Sequence, residues 1–314
     1  MTVAVSGHHP ESAIIFIGVS TAGSAIMRLL PRWRDLLGVP VVVEGIDLPL
    51  PCSASRYREV VSTIRSTPRI LGAVITSHKV DLLAAARDLV DELDDTARRL
   101  DEVNTLSKTG GRLKGHARDA VSMAHTLRGM SPPEATPPED VLCLGAGGAG
   151  RAVVLSLPLA GLGRFVRRLT VVDRCEDRLE SFRRVVGPLC PGLDLDYHCH
   201  AEPGENDALL AAQAPHSLVV NATGMGKDRA GSPVSDRAVF PLGATVWELN
   251  YRGSRPFLAQ ARAQQRTRQL GVHDGWLLFL HGWAECLATI LGRRFSEETM
   301  RQLTDTSADD SVRS

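Results

Sequence analysis

The residues best spaced for chemistry are Gly145, Gly147 and Gly150, which fit a G-x-G-x-x-G pattern directly after an apolar run at 141–144. Such a run reads as a buried parallel strand, and apolar residues over 151–157 then recur at helical spacing. Between strand and helix each glycine has a physical role. The first allows the tight turn, the second lets a pyrophosphate approach the main chain, and the third lets helix and strand pack closely. The N–H groups and positive dipole end of the new helix would hold phosphate oxygens. The stretch Gly145, Ala146, Gly147, Gly148, Ala149 and Gly150 is therefore a candidate dinucleotide loop. A second apolar run ends at Asp173, about 20 residues beyond the last glycine, where a carboxylate accepts both ribose hydroxyls. That carboxylate repels a 2′-phosphate, so the pattern favours NAD. NADP is the alternative, because Arg174 and Arg178 follow.

The elements that must position these residues alternate along the chain. Apolar or β-branched runs at 12–19, 39–48 and 70–76 read as strands, separated by helical patterns at 20–33 and 56–66, with another at 80–90. This alternation predicts an α/β protein built on a parallel sheet. Gly110 and Gly111 predict a hairpin-like turn between two short strands. A helix is expected over 119–130. The stretch 131–140 carries four prolines and predicts a semi-rigid linker. A buried strand running into a glycine-containing loop is expected over 216–226, a further strand over 244–253, and helices at 255–269 and 275–291.

Composition narrows the function classes. At 314 residues the chain suits two domains, and 43% hydrophobic with 23% charged residues is ordinary for a globular protein. Lys+Arg and Asp+Glu balance at 36 each, so no global field would recruit nucleic acid or an anionic membrane. The six cysteines include no C-x-x-C pair, which predicts free thiols in a reducing compartment. With no signal-like start and no apolar segment long enough for a bilayer, a cytoplasmic location is expected. His198 and His200 lack a third ligand at useful spacing, so they read as a surface loop and no metal is expected. Trp276 and Trp283 read as core.

Six short segments, in order along nearly the whole chain, resemble the shikimate/quinate dehydrogenase family. Val74 to Lys79 is similar to the end of its V-T-x-P-H-K segment, and Glu102-Val103-Asn104-Thr105 matches A-V-N-T. Asp119 keeps the acid of N-T-D, Gly145 to Ala152 matches G-A-G-G-A-x-R-A, Asn221 to Gly226 matches N-A-T-x-x-G, and Asp274-Gly275 matches a late Asp-Gly pair. The resemblance implies two domains with a cleft between them. A substrate-binding domain would cover 1–118, rejoined by a helix over 275–300. A Rossmann domain would cover 119–274, and 301–314 would be a flexible tail. It further implies reversible hydride transfer between nicotinamide and a ring ketone or alcohol of a shikimate- or quinate-like acid. Lys79 and Asp119 correspond to the family's catalytic pair. Ser20, Thr21, Thr76, Asn104 and Asn250 fall at substrate-binding positions, and Asn221, Ala222, Thr223, Leu249 and Gly275 near the cofactor.

Chemistry supports those roles. Reducing a ketone builds negative charge on an oxygen, which an ammonium such as Lys79 stabilises and protonates while a carboxylate such as Asp119 holds it and relays the proton. A cation is electrostatically misplaced at a helix start, which favours a functional reason for Lys79 there. Asp119 also suits a helix N-cap, Asn104 suits a substrate hydroxyl, and His78 reads as a packing histidine. Several substrate positions depart from the family pattern. The carboxylate-gripping S-x-S has no clean match around Ser20, Thr21 and Ser24, and Ile75, Ser77 and Arg118 replace threonine, proline and threonine. Asn250 falls where a tyrosine is usual, and Gly282 where a glutamine is. Each unmatched buried hydrogen bond costs on the order of 1–3 kcal/mol, so this pocket should discriminate differently from its relatives. A catalytically silent dinucleotide sensor on the same fold is the alternative function, disfavoured by retention of both Lys79 and Asp119. The expected partner is a small-molecule substrate, and the expected state a monomer or homodimer.

Overall fold

The computed structural model describes residues 12–130, 136–227 and 229–307. The first half of the Pro-rich linker and the last seven residues lie outside them. The chain divides into two compact units, one formed by residues up to Arg118 together with those from Gly282 onward, the other by Asp119–His281.

In the first unit the order is β1 (Ser12–Gly18), α1 (Ile26–Leu37), β2 (Val41–Asp47), α2 (Ala54–Ser66), β3 (Ile70–Ile75), α3 (Lys79–Ala86), β4 (Glu92–Leu93), α4 (Asp95–Leu100), β5 (Thr105–Thr109) and β6 (Arg112–His116). These strands form one sheet in the order β2-β1-β3-β5-β6-β4. It is parallel through β2, β1 and β3. β5 then runs antiparallel to β3, the Gly110-Gly111 hairpin, where both glycines take positive φ, returns the chain as β6 antiparallel to β5, and β4 pairs parallel to β6. A wholly parallel sheet is therefore not what forms here. Helix α2 starts two residues before the expected 56, since Ser53 caps it by accepting the Arg56 N–H at 3.3 Å.

The second unit contains α5 (Asp119–Met130), β7 (Asp140–Leu144), α6 (Gly148–Leu159), β8 (Arg168–Asp173), α7 (Glu176–Val186), β9 (Asp194–Cys199), α8 (Glu205–Ala211), β10 (Leu218–Asn221), β11 (Thr245–Glu248), α9 (Pro256–Arg268) and β12 (Gly271–His273). Its sheet is parallel throughout, in the order β12-β11-β10-β7-β8-β9. The strand order reverses between β7 and β10, the switch point at which open α/β sheets bind ligands. Both faces are apolar. Val141 and Cys143 of β7 pack with α6 and α7 residues such as Val153 and Phe182. Leu142 and Leu144 face the other way, onto Phe240 and Phe257. Burying one such side chain is worth about 1.5–3 kcal/mol.

Helix α10 (Trp276–Ile290) contains the division at 281/282, later than the expected 274/275. Its first turn stays with the second unit because the Trp276 and Phe279 rings pack at a tilt against Tyr251, with centroids at 5.9 and 4.2 Å. Further on, Trp283 meets Phe16 edge to face at 5.0 Å, within the first unit. Residues 301–307 are no loose tail. Helix α11 (Glu297–Thr306) is capped by Ser296, and buried Trp33 donates its indole N–H to Ser307 Oγ at 3.0 Å. Polar composition hid this docking, since Leu303 is the one apolar anchor buried there. Among the described residues no helix is long and apolar enough to cross a membrane.

Candidate functional site

The dinucleotide loop has the geometry its glycines imply. β7 ends at Leu144, Gly145 turns with φ +117°, and Gly147 stands at the N-cap of α6 in extended conformation. A Cβ on Gly145 would lie 2.7 Å from the Ala222 carbonyl, and one on Gly150 would lie 2.1 Å from Gly145 O. Those two glycines are packing requirements. A Cβ on Gly147 meets nothing within 4 Å, because that residue lines an open pocket. One glycine of the turn thus borders open space, and two let neighbouring stretches of main chain pack closely.

The pocket encloses about 150 Å³. Gly147, Asp173, Arg174, Ala222 and Thr223, all expected at the cofactor, line it together. Asp173 holds the loop itself: its Oδ2 accepts the Ala146 N–H at 2.9 Å and its Oδ1 the Cys175 N–H at 3.1 Å. Each oxygen retains lone-pair capacity for a ribose hydroxyl. Arg178, His200, Glu202 and Arg229 also line the pocket. His200, Glu202 and Arg229 carry no local motif that would reveal them. His200 arrives because β9 pairs beside β8, and Arg229 because it bridges to Met225. The His198/His200 pair is therefore not a surface loop. His198 lies on β9 bonded to Asp196 at 2.8 Å, while His200 follows it and bonds Asn206 at 2.8 Å. Among the described residues no cluster of three His, Cys, Asp or Glu could hold a metal ion.

Other expected cofactor residues act behind the pocket wall. Asn221 is fully buried, and its Oδ1 accepts from both the N–H and the hydroxyl of Thr223, at 3.1 and 2.7 Å. Gly275 is pressed onto the 249–250 main chain, where a Cβ would lie 2.1 Å from Leu249 O. Asn250, expected at the substrate, has both amide protons engaged inside the second unit. Its Nδ2 donates to Met225 O at 2.9 Å and to Glu248 Oε1 at 2.7 Å. That is a structural assignment for the side chain, made because Glu248 is buried beside it and needs donors.

In the first unit Lys79 is the first residue of α3, and its carbonyl accepts the Val103 N–H at 3.2 Å. His78 beside it is fully buried and bonded to the Tyr57 hydroxyl at 2.7 Å. Burial pushes the Tyr57 hydroxyl up to about 12 and pulls the His78 imidazole down, so this is a neutral packing pair. The expected substrate residues are engaged with their own unit. Thr21 donates its hydroxyl and its N–H to Asp47 Oδ1 at 2.6 and 2.8 Å, which holds that carboxyl below its usual range. Thr76 Oγ1 donates to Ile17 O at 3.2 Å, and Asn104 Oδ1 accepts from Arg118 N at 2.8 Å and Thr105 Oγ1 at 3.1 Å. Ser20 is exposed. A Cβ on Gly282 would meet no atom within 4 Å, so the glutamine expected there is replaced by space.

Arg118 and Asp119 sit where the chain passes from β6 into α5. Arg118 Nη1 lies 3.4 Å from Asp94 Oδ2, which His116 Nδ1 approaches to 3.3 Å. Burial alone would raise the Asp94 carboxyl. Hydrogen bonds from His116 and the Ala97 N–H, with the charge of Arg118, outweigh it and hold the group below its ordinary value. Asp119 follows directly as the first residue of α5.

Comparison with known proteins places this geometry. The chain is 30% identical over 269 residues to shikimate dehydrogenase (NADP(+)) of Symbiobacterium thermophilum, covering 84% of this chain and 83% of that protein. Shikimate 5-dehydrogenase from Thermus thermophilus, solved in complex with NADP(H) and shikimate, superposes with a TM-score of 0.65 at 26% identity, covering 93% and 98% of the two chains. Quinate dehydrogenase from Corynebacterium glutamicum, in complex with NAD, shares the fold with a TM-score of 0.71 at 21% identity, covering 95% and 99%. No protein-family model matches the chain.

Proposed function

The chain belongs to the shikimate dehydrogenase family, and on that premise we propose that its first unit binds a small cyclic hydroxy acid and its second unit the dinucleotide. It is an NAD(P)-dependent oxidoreductase acting on CH–OH, of the shikimate/quinate dehydrogenase type. The observation that supports this most is the Gly147 turn, which leaves open space at the head of α6 while Gly145 and Gly150 let the strand, the helix and the 222–223 main chain pack closely behind it. A bound nicotinamide would supply or accept the hydride. The chain's own residues bind, orient and move the proton. In our reading Lys79 stabilises the oxygen that becomes an alkoxide and protonates it, and Asp119 orients Lys79 and relays the proton. Asn104 is held through its Oδ1 by the Arg118 N–H and the Thr105 hydroxyl, and its Nδ2 faces Cys286 Sγ at 4.0 Å; in our reading this amide meets a substrate hydroxyl. The altered surroundings, with Gly282 and with Thr21 tied to Asp47, favour a ring acid related to shikimate or quinate over shikimate itself.

The test is nicotinamide absorbance on a panel of shikimate, quinate and related hydroxy acids with both dinucleotides. Turnover on at least one is expected. Tight dinucleotide binding with no turnover across the panel would overturn the enzymatic reading in favour of a sensor.

For the cofactor we propose NAD. Asp173 lies in the pocket where a 2′-phosphate would have to approach it; Glu202 lines the same pocket and adds to the repulsion, while Arg174, Arg178 and Arg229 offset part of it. Asp173→Asn is therefore expected to raise the kcat/KM ratio of NADP to NAD by about tenfold, the scale of one screened like-charge contact. A wild-type enzyme that already prefers NADP, or a ratio unmoved by the substitution, would refute this assignment. All six cysteines are free thiols, which supports a reducing, cytoplasmic location.

A further inference from the structure

Glu248 ends β11, fully buried and in register with Asn221 of β10. Three N–H groups converge on its carboxyl. Asn221 Nδ2 reaches Oε2 at 2.7 Å, and the main-chain N and Nδ2 of Asn250 reach Oε1 at 2.8 and 2.7 Å. Main-chain groups with a single role fix the direction of these bonds. The Thr223 N–H can only donate and meets Asn221 Oδ1, so the Asn221 amide nitrogen must face Glu248. The Met225 carbonyl can only accept and meets Asn250 Nδ2, which places that nitrogen likewise. Glu248 therefore meets donors at every one of these contacts. An ionised carboxylate satisfies them, whereas a carboxylic acid would set its own O–H against an N–H.

Opposing forces act on that proton. Burial favours the neutral acid. The donors of Asn250 and Asn221 and the charge of Arg255 favour the carboxylate, and the balance leaves the group pushed up to about 7. Arg255, just before α9, has Nη1 3.4 Å from Asp274, so its charge is shared. His273 on neighbouring β12 is kept neutral by burial, which lowers it.

Both partners of Glu248 lead to the pocket wall. Asn221 Oδ1 holds Thr223, whose Oγ1 accepts the Met225 N–H at 3.0 Å, and Asn250 holds the Met225 carbonyl. Ala222, Thr223 and Met225 all line the pocket. We propose that Glu248 is a positioning residue for dinucleotide binding: as a carboxylate it gathers Asn221 and Asn250 and so holds the 222–225 loop in its pocket-lining shape, and proton uptake releases that loop. This rests on the dinucleotide reading of the pocket. Once protonated, the acid needs an acceptor, and Asn221 supplies one only by turning its amide and withdrawing Oδ1 from Thr223. Affinity should accordingly fall as pH drops through neutrality.

NADH is the probe, because its pyrophosphate keeps a constant charge in this range while a 2′-phosphate itself titrates at about pH 6. Calorimetric titration of the wild-type protein across about one to two pH units either side of neutrality should show NADH binding about five- to tenfold weaker at the acid end, the scale of one or two net hydrogen bonds. Glu248→Gln should bind equally at both ends, near the wild-type acid value, and Glu248→Asp should keep a pH dependence. In ligand-free protein carrying ¹³C-carboxyl glutamate, one resonance should titrate near neutrality and be missing from Glu248→Gln. Wild-type NADH affinity that is flat with pH, or an unchanged slope in the Gln variant, would overturn the proposal. Failure of NADH to bind at any pH would instead overturn the pocket assignment, and the carboxyl titration would still report on Glu248.

Discussion

Replacing Lys79 with alanine is expected to lower turnover by about 10²–10⁴, the scale of a lost general acid, while NADH affinity stays within a few-fold of wild type. The side chain is asked to do two things. Its charge stabilises the oxygen that becomes an alkoxide, and its N–H supplies the proton that completes the alcohol. Neither involves the ground-state grip on the dinucleotide, so the loss should fall on kcat rather than on cofactor binding. Lys79 heads α3, where the dipole disfavours a cation. Asp119→Asn should cost a comparable factor, and the double variant little more than either single one, because groups that act as a unit are not additive. Stopped-flow absorbance with a working substrate measures all three. Near-wild-type turnover in Lys79→Ala, or losses that multiply in the double variant, would refute the pairing.

What could be read from the residues alone follows the range over which each signal acts. The turn at Gly145–Gly150 and the carboxylate at Asp173 were legible because strand, glycine and helix signals sit within about 30 residues, and the chemistry is done by main-chain groups. Parallel pairing at β7 followed from the buried apolar run that leads into the glycine turn, whereas the alternation of runs in the first unit predicted a parallel sheet that holds only through β2, β1 and β3. His200 and Arg229 were not legible. They reach the pocket through strand order and a bridge to Met225, and neither leaves a local pattern. Glu248 was missed for a different reason. A lone acid in a run of strand residues reads as any exposed charge, and only burial between Asn221 and Asn250 makes it a hub. The same burial turned Asn250 from an expected substrate contact into a clamp on Met225. Helix α11 escaped because its sequence is polar. Its attachment depends on Trp33, more than 250 residues away, and no window along the chain brings the two together.

Gly147→Val should weaken NADH binding by about 10² or more and leave the fold intact. The two halves of that expectation rest on separate observations. For the fold, Gly147 has φ −77° and ψ −172°, extended backbone that a β-branched residue adopts readily, and a Cβ there meets no atom within 4 Å. For the ligand, the same open space is the pocket at the head of α6, where a pyrophosphate would take hydrogen bonds from main-chain N–H groups. Charge-assisted bonds of that kind contribute about 1.5–3 kcal/mol each, so displacing the phosphates from two of them accounts for roughly 10²–10⁴ in affinity. Gly150→Val is the matched control with the opposite outcome. Its Cβ would stand 2.1 Å from Gly145 O, so α6 must move off β7 and overpacking should cost about 1–3 kcal/mol of stability or more. Thermal melting separates the pair: the Gly147 variant should melt with wild type and the Gly150 variant well below it. Calorimetry with NADH on the well-folded Gly147 variant then decides the assignment. Undiminished affinity there would mean that the dinucleotide does not lie across this turn.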